Sequence, residues 1–314
     1  MKVCKIAITT ALLVLVSLRA GAQFDAYFSH YFDMQTSFNP AAAGKASKIN
    51  VTGAYAMALS GFENAPQTAY ISGDMPLVLM NNITGLGLQL WSDKIGLQTR
   101  QIIEAQFALR KKLWGGWFSG GIQAGLLNIK YRGSEVVIND TDDPVFKSKS
   151  DVDGNGIDIG LGVFYQRANW YAGLSAMHLT SPTITLGEVN KFNVSPTFYL
   201  TGGADFQLAN PLLKVSTSAL LRTEGTTYRG DVTGRLIYNY DNKMYYGGVT
   251  YSPTNSVTVL LGANFHGVIV GYSYEMYTNG IDLKNGSHEV FFGYQTDIDL
   301  GKKEKNRHQT TRTL

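Results

Sequence analysis

Cysteine, proline and charge are scarce in this sequence. One cysteine, 8 prolines and charged side chains at 16% of positions are spread over 314 residues. The lone Cys4 excludes an internal disulfide framework and a thiolate metal cage. After Ile6–Leu18 no apolar run reaches the roughly 18 residues that a membrane helix needs. His30, His178, His266, His288 and His308 show no metal-ligand spacing. His288-Glu289 opens no H-E-x-x-H, because that motif would need a second histidine where Phe292 stands. A hydrolytic site needs a nucleophile beside a base, or paired acids at a mouth. Asp142 and Asp143 are such a pair, yet no histidine shares their segment. These absences argue against an enzyme and against a bound cofactor.

The first 22 residues read as a secretory signal peptide. Lys2 and Lys5 precede the apolar Ile6–Leu18, and Ala20-Gly21-Ala22 is a small-residue cleavage site that leaves Gln23 first. Cys4 lies in the basic region and not at the junction, which argues against a lipoprotein. Loss of Lys2, Lys5 and Arg19 takes Lys plus Arg from 27 to 24, against 24 Asp plus Glu. The mature chain is neutral and offers nucleic acid no basic surface.

Glycine and aromatics are abundant, with 34 Gly, 18 Tyr and 15 Phe. The stretch Asn255–Tyr277 shows how they are used. Val257, Val259, Leu261, Ala263 and Phe265 alternate with Thr258, Leu260, Gly262 and Asn264. After a turn at Phe265–Gly267, Val268, Val270, Tyr272, Tyr274 and Met276 alternate with Gly271, Ser273 and Glu275. A period of two predicts an antiparallel hairpin with one apolar face. Each run has about ten residues, enough for a tilted strand to cross a bilayer.

The pattern recurs over 48–59, 67–75, 83–92, 98–111, 115–129, 156–167, 169–178, 195–208, 212–222, 227–240, 243–252, 255–265, 267–277 and 287–299. The even-numbered connections are mostly tight, as at Asp241-Asn242, whereas 131–155, 180–193 and 278–286 are long. That parity predicts an all-β, up-and-down antiparallel transmembrane barrel of about 14 strands with both termini periplasmic. A soluble β-sandwich or β-helix would carry more charge on its outward faces. The organisation expected is a signal peptide at 1–22, a periplasmic leader or lumen plug at 23–47, the barrel at 48–300 and a hydrophilic tail at 301–314.

Inward faces carry charges of both signs. Glu104, Arg110, Asp158, Asp205, Lys214, Arg222, Asp231, Arg235, Glu275 and Glu289 are expected in the lumen, either satisfying one another or lining a polar conduit. Asp151, Asp153 and Asn155 begin like a calcium loop, but the twelfth position is Gly162, so the bidentate acid is absent. A solvated acidic loop is the simpler reading. In the leader, Tyr27, Phe28, Tyr31 and Phe32 form an aromatic group without strand alternation, followed by Asn39-Pro40. Left in water they would make a large apolar patch. They are therefore expected to plug the lumen or to dock a partner. The acidic loop holding Asp142 and Asp143 is expected to contact a partner as well.

With the strands placed, the chain resembles the PorP/SprF family of Bacteroidota outer-membrane proteins along nearly its whole length. The leader ends in Asn39, Pro40, Ala41 and Gly44, like the family's Asn-Pro-Ala-x-x-Gly. Ala65–Thr68 with Ser72–Leu77 is similar to the family's second strand. Gly85–Leu88 with Ser92–Gly96 is similar to its glycine-rich strand and following loop. Asp142–Phe146 resembles a recurrent D-D-P-x-F. Gly160–Val163, Tyr171–Ser175, Gly271–Glu275 and Asn285–Val290 continue the match, with Glu275 where the family usually has Asp. The resemblance implies a type IX secretion barrel that engages secreted cargo with a type IX C-terminal signal, including gliding adhesins in motile species. It also implies partners among periplasmic or outer-membrane machine subunits. A general porin or hydrophobic-solute channel is the alternative that the residues themselves leave open.

Overall fold

The structure is a computed structural model and describes residues 25–46, 48–79, 82–135, 151–186, 190–253, 255–278 and 285–298. The signal peptide, Asp142, Asp143 and the tail at 301–314 lie outside the described residues.

Fourteen strands close one antiparallel barrel. They are β1 (Lys48–Met57), β2 (Gln67–Leu79), β3 (Asn82–Ile95), β4 (Gln98–Leu113), β5 (Gly116–Tyr131), β6 (Val152–Gln166) and β7 (Trp170–Met177), then β10 (Thr197–Gln207), β11 (Leu213–Thr223), β12 (Tyr228–Tyr240), β13 (Lys243–Ser252), β14 (Ser256–Phe265), β15 (Val268–Tyr277) and β16 (Ser287–Asp297). Each pairs with its neighbour in sequence, and β1 pairs with β16 from Lys48↔Asp297 to Met57↔His288. Closure leaves no free edge across the hydrocarbon layer, where unpaired backbone groups are costly. Between β7 and β10 the chain forms a separate hairpin, β8 (Thr183–Leu186) and β9 (Asn190–Asn193).

Two sequence expectations change. The second strand, expected over 67–75, runs on to Leu79. Its register with β3 continues through Pro76↔Gly85 to Leu79↔Asn82, so one missing donor does not end the ladder. The connection at 180–193, read only as a long loop, contains β8 and β9. Ile184 on that hairpin is fully buried with Ile102, Leu127, Ile129 and Val194. Those first three partners face inward, so the hairpin folds over the mouth.

The alternation sets the two faces. On β4, Ile103 and Leu109 are exposed while Glu104, Gln106, Ala108 and Arg110 are buried. Outward Tyr238, Tyr240, Tyr245 and Phe265 crowd one end, and Tyr55, Tyr228, Tyr251 and Phe198 the other, as aromatic girdles do. One end is closed by two-residue turns at Trp114-Gly115, Asp241-Asn242 and His266-Gly267. Both central residues of each have positive φ, for example 52° and 89° at His266-Gly267. This is the type I′ geometry that matches strand twist. The four longest connections, those after Met57, Tyr131, Met177 and Tyr277, lie at the opposite, loop end.

Candidate functional site

The lumen is filled by the chain's own leader. Asp25 lies at the loop end, beside Arg100, His178 and Tyr199. The segment descends to Gly44 at the turn end and then enters β1. Phe28, Tyr31, Phe32, Met34 and Phe38 are all buried. Tyr31, Phe32 and Phe38 pack against Met177, Tyr199, Leu220, Ile237, Tyr246 and Leu260 on one side of the barrel. Phe28 and Met34 pack against Tyr70, Ile269 and Phe291 on the other. The leader aromatics Tyr27, Phe28, Tyr31 and Phe32 therefore do not form the exposed docking patch considered for them. Removing their apolar area from water inside the barrel is the stronger effect.

Asn39 and Pro40 are likewise buried, and the reason is visible in the wall. Pro40–Ala42 is a short 3-10 turn with proline at its start, and the Asn39 side chain accepts from the Ala41 amide at 3.0 Å. The Asn39 amide donates to the Val163 carbonyl at 3.1 Å. Three wall glycines make room for this turn. A Cβ on Gly85 would strike the Ala43 carbonyl, one on Gly121 the Pro40-Ala41 peptide, and one on Gly162 the Asn39 side chain. Ala41, Ala42 and Ala43 are completely buried. The motif and the inward glycines are two halves of one close backbone contact.

Polar wall residues hold the rest of the leader. Glu289 accepts from the Ser29 amide at 2.5 Å, the His30 amide at 3.1 Å and His30 Nδ1 at 2.6 Å. Gln106 donates to the Thr36 carbonyl at 2.8 Å, and Ser175 to that of Phe38 at 2.5 Å. At the turn end the Gly44 amide donates to Asp74 at 2.8 Å, and Arg110 donates to the Gly44 carbonyl. Arg235 lies 3.5 Å over the Phe32 ring and 3.8 Å from Asp33. Arg229 joins Asp231 and Glu275, at 3.1 and 2.8 Å, and stacks 3.9 Å from the Tyr27 ring. Glu104 accepts from Gln89 and Gln123 at 2.5 and 2.9 Å.

The tightest cluster is at the loop end. Asp25 Oδ1 meets His178 Nε2 at 3.0 Å and Arg100 at 3.2 Å, while its other oxygen accepts from Tyr199 at 2.5 Å. His178 Nδ1 meets Asp158 at 2.6 Å. Burial alone would raise the Asp25 carboxyl, but the His178 charge and hydrogen bond, with Arg100 and Tyr199, hold it far below the usual carboxylate range. Burial would also lower His178, but Asp25 and Asp158 outweigh it and raise the imidazole to about 10. The clamp is therefore an ion pair at neutral pH.

Of the ten inward charges expected from the sequence, Arg110, Arg235 and Glu289 contact the leader directly and Arg222 lies 4.6 Å from the Tyr27 ring. Glu104, Asp158, Asp231 and Glu275 bond other barrel side chains, and Asp205 pairs with Lys214 at 2.8 Å. Asp25, Arg100, His178, Tyr199 and Asp74 were missed as contacts, because the period-two pattern gives a side chain's face but not its partner across the lumen. The calcium reading fails on geometry. β6 begins at Val152, so Asp151, Asp153 and Asn155 are spaced along one outer face and do not wrap a centre. Asp151 instead accepts from the Ser134 hydroxyl at 2.7 Å and lies 3.7 Å from Lys130. Its carboxyl is held low chiefly by those Ser134 bonds.

Little free space remains. The cavity between leader and wall near Tyr27, Phe38 and Glu104 holds about 50 Å³. Small-molecule sites span roughly 300–1,000 Å³. A vestibule of about 200 Å³ opens at the loop end, beside Asp93, Glu275 and Glu289.

Comparison with known proteins agrees with this architecture. The family model described as type IX secretion system membrane protein PorP/SprF matches residues 20–294. No curated protein matches the sequence. Among solved structures, the CymD monoaromatic hydrocarbon channel aligns with a TM-score of 0.50 at 12% identity, over 89% of this chain and 95% of that one. The Pseudomonas putida toluene transporter TodX gives 0.48 at 10% identity, over 87% and 95%. A Pseudomonas aeruginosa FadL homologue gives 0.45 at 10%, over 84% and 93%. At 12% identity the likeness to CymD is one of fold alone.

Proposed function

This chain belongs to the PorP/SprF family of type IX secretion system membrane proteins, and from that premise we propose that it works as a plugged docking barrel. It is an outer-membrane β-barrel. It assists the secretion or surface attachment of cargo bearing a type IX C-terminal signal, gliding adhesins among them, by binding cargo and machine subunits at its two ends. The observation that carries this reading is the leader, bonded along the lumen from Asp25 to Gly44. A barrel so filled is suited to present surfaces and not to conduct. On this reading the chain is a binding and assembly protein, with no catalytic step of its own.

The short turns are assigned to the periplasm and the long connections to the outside, after cleavage of the signal peptide. β1 starts and β16 ends at the turn end, as parity requires. The leader threads the barrel and brings Asp25 to the loop end, opposite the start of β1. The acidic loop with Asp142 and Asp143 remains the expected outer contact for cargo.

The test is to delete Val137–Ser150 in the native host and to isolate the barrel by an affinity tag. The expected outcome is a heat-modifiable barrel in the outer membrane with reduced surface display of cargo. Parental cargo display would remove the loop's role. The alternative, a general porin or hydrophobic-solute channel, requires solute flux through the intact protein.

A further inference from the structure

A groove of about 570 Å³ runs across the outer wall over β2–β6, near the loop end. The register explains its layering. Leu90, Ile103, Leu126 and Ile157 are cross-strand neighbours in one outward row. The next outward row toward the loops is Ser92, Gln101, Asn128 and Asn155, again in register. The row after it begins Lys94, Thr99 and Lys130. Successive rows are two residues, or roughly 7 Å, apart. An aliphatic floor is thus followed by a hydroxyl and amide row, and then by cations. Within the second row Asn128 donates to Asn155 at 2.8 Å. The acids nearest the third row are Asp151, 3.7 Å from Lys130, and Asp153, its cross-strand neighbour on β6. Cationic character is therefore concentrated at Lys94.

We propose that this groove binds one phosphorylated, acylated glycolipid of the outer leaflet. Its acyl chains lie on Leu90, Ile103 and Leu126, its amide and hydroxyl groups meet Gln101 and Ser92, and a phosphate meets Lys94. The polar row spans four strands, about 14 Å at the usual ~4.8 Å spacing. That width suits a sugar head with several hydrogen-bonding groups better than a single glycerophosphate. Charge-assisted bonds to phosphate supply the selectivity. The inference rests on the outward assignment of the loop end only for which leaflet supplies the lipid.

The test is native mass spectrometry of the full barrel in detergent, titrated with bisphosphorylated lipid A, dephosphorylated lipid A and phosphatidylglycerol. One tightly retained bisphosphorylated lipid A per barrel is expected. Retention should fall at least fivefold for the dephosphorylated probe, for phosphatidylglycerol, for Lys94→Gln and for Leu126→Trp. Leu236→Trp, on the outward face of β12, should leave it unchanged. Gln101→Leu, which keeps an apolar-compatible wall, should weaken retention in a barrel that still shows heat-modifiability. Equal retention of phosphatidylglycerol, or parental retention in Lys94→Gln and Leu126→Trp, would overturn the site. Cargo display measured on the same variants separates this outcome from the docking-barrel reading, because that reading requires no lipid.

Discussion

At the scale of residues, the leader is held by individual charges and by glycines, and each can be tested. Asp25→Asn leaves His178 and Arg100 facing a neutral amide. Removing one partner of a buried pair typically costs ~3–5 kcal/mol, and the low end applies because Asp25 keeps 13% side-chain exposure. The denaturant midpoint of the barrel in detergent should fall accordingly, and an unchanged midpoint would show the clamp to be idle. The pH dependence has a definite sign. The raised His178 contributes stability that is full below its unfolded value near ~6.5 and is lost as pH rises through about 10. The depressed Asp25 contributes stability that is full above ~3.9 and declines as pH falls below it. The leader should therefore be held most firmly between about pH 4 and 6.5 and progressively less as pH rises toward about 10, with current fluctuations in a planar bilayer growing over that rise. Glycine supplies a sharper contrast. Gly121→Leu or Gly162→Val drives atoms into Asn39–Ala41 and should unseat the leader, which trypsin would then cut at Lys45. Gly234→Ala meets nothing within 4 Å and should leave digestion unchanged.

At the scale of elements, strands and turns each have one face to lose. Val270 points outward and Ser273 inward on β15, with Val270 at 47% and Ser273 at 1% exposure. Val270→Arg should cost roughly 2–4 kcal/mol in lipid near the midplane. Ser273→Arg should be milder, since its side chain enters the vestibule near Glu275 and Glu289. The reverse order in thermal shifts of the two barrels would invert the facing. These faces were legible in the sequence because the side-chain period of two survives any error in strand ends. Fourteen strands and the loop parity followed from the same signal. β8 and β9 did not, because eight residues of short strand around Leu186 are too few to show a period. β2 also runs past its expected end, because its ladder with β3 tolerates the donor missing at Pro76.

At the scale of the whole molecule, the sequence signal ran out where contacts cross the lumen. The leader's aromatics announced that they needed a partner but not which one. The wall's inward glycines, at 85, 121 and 162, announced space without naming its occupant. Only the fold joins them, because nothing local ties Asn39 to Gly162 across more than a hundred residues. The joined halves make a barrel closed by its own N-terminal segment, with Asp25 at the end opposite the start of β1. A tag at Asp241-Asn242 should stay protected on intact cells, whereas one beside Thr278 should be labelled. Equal labelling of the two would contradict the orientation proposed for the barrel. The most direct test of the central claim is single-protein conductance in planar bilayers, comparing the intact barrel with one lacking residues 25–44. The account predicts a closed intact barrel and stable open currents after the deletion. Steady porin-like conductance in the intact protein, or no change on removing the leader, would contradict it.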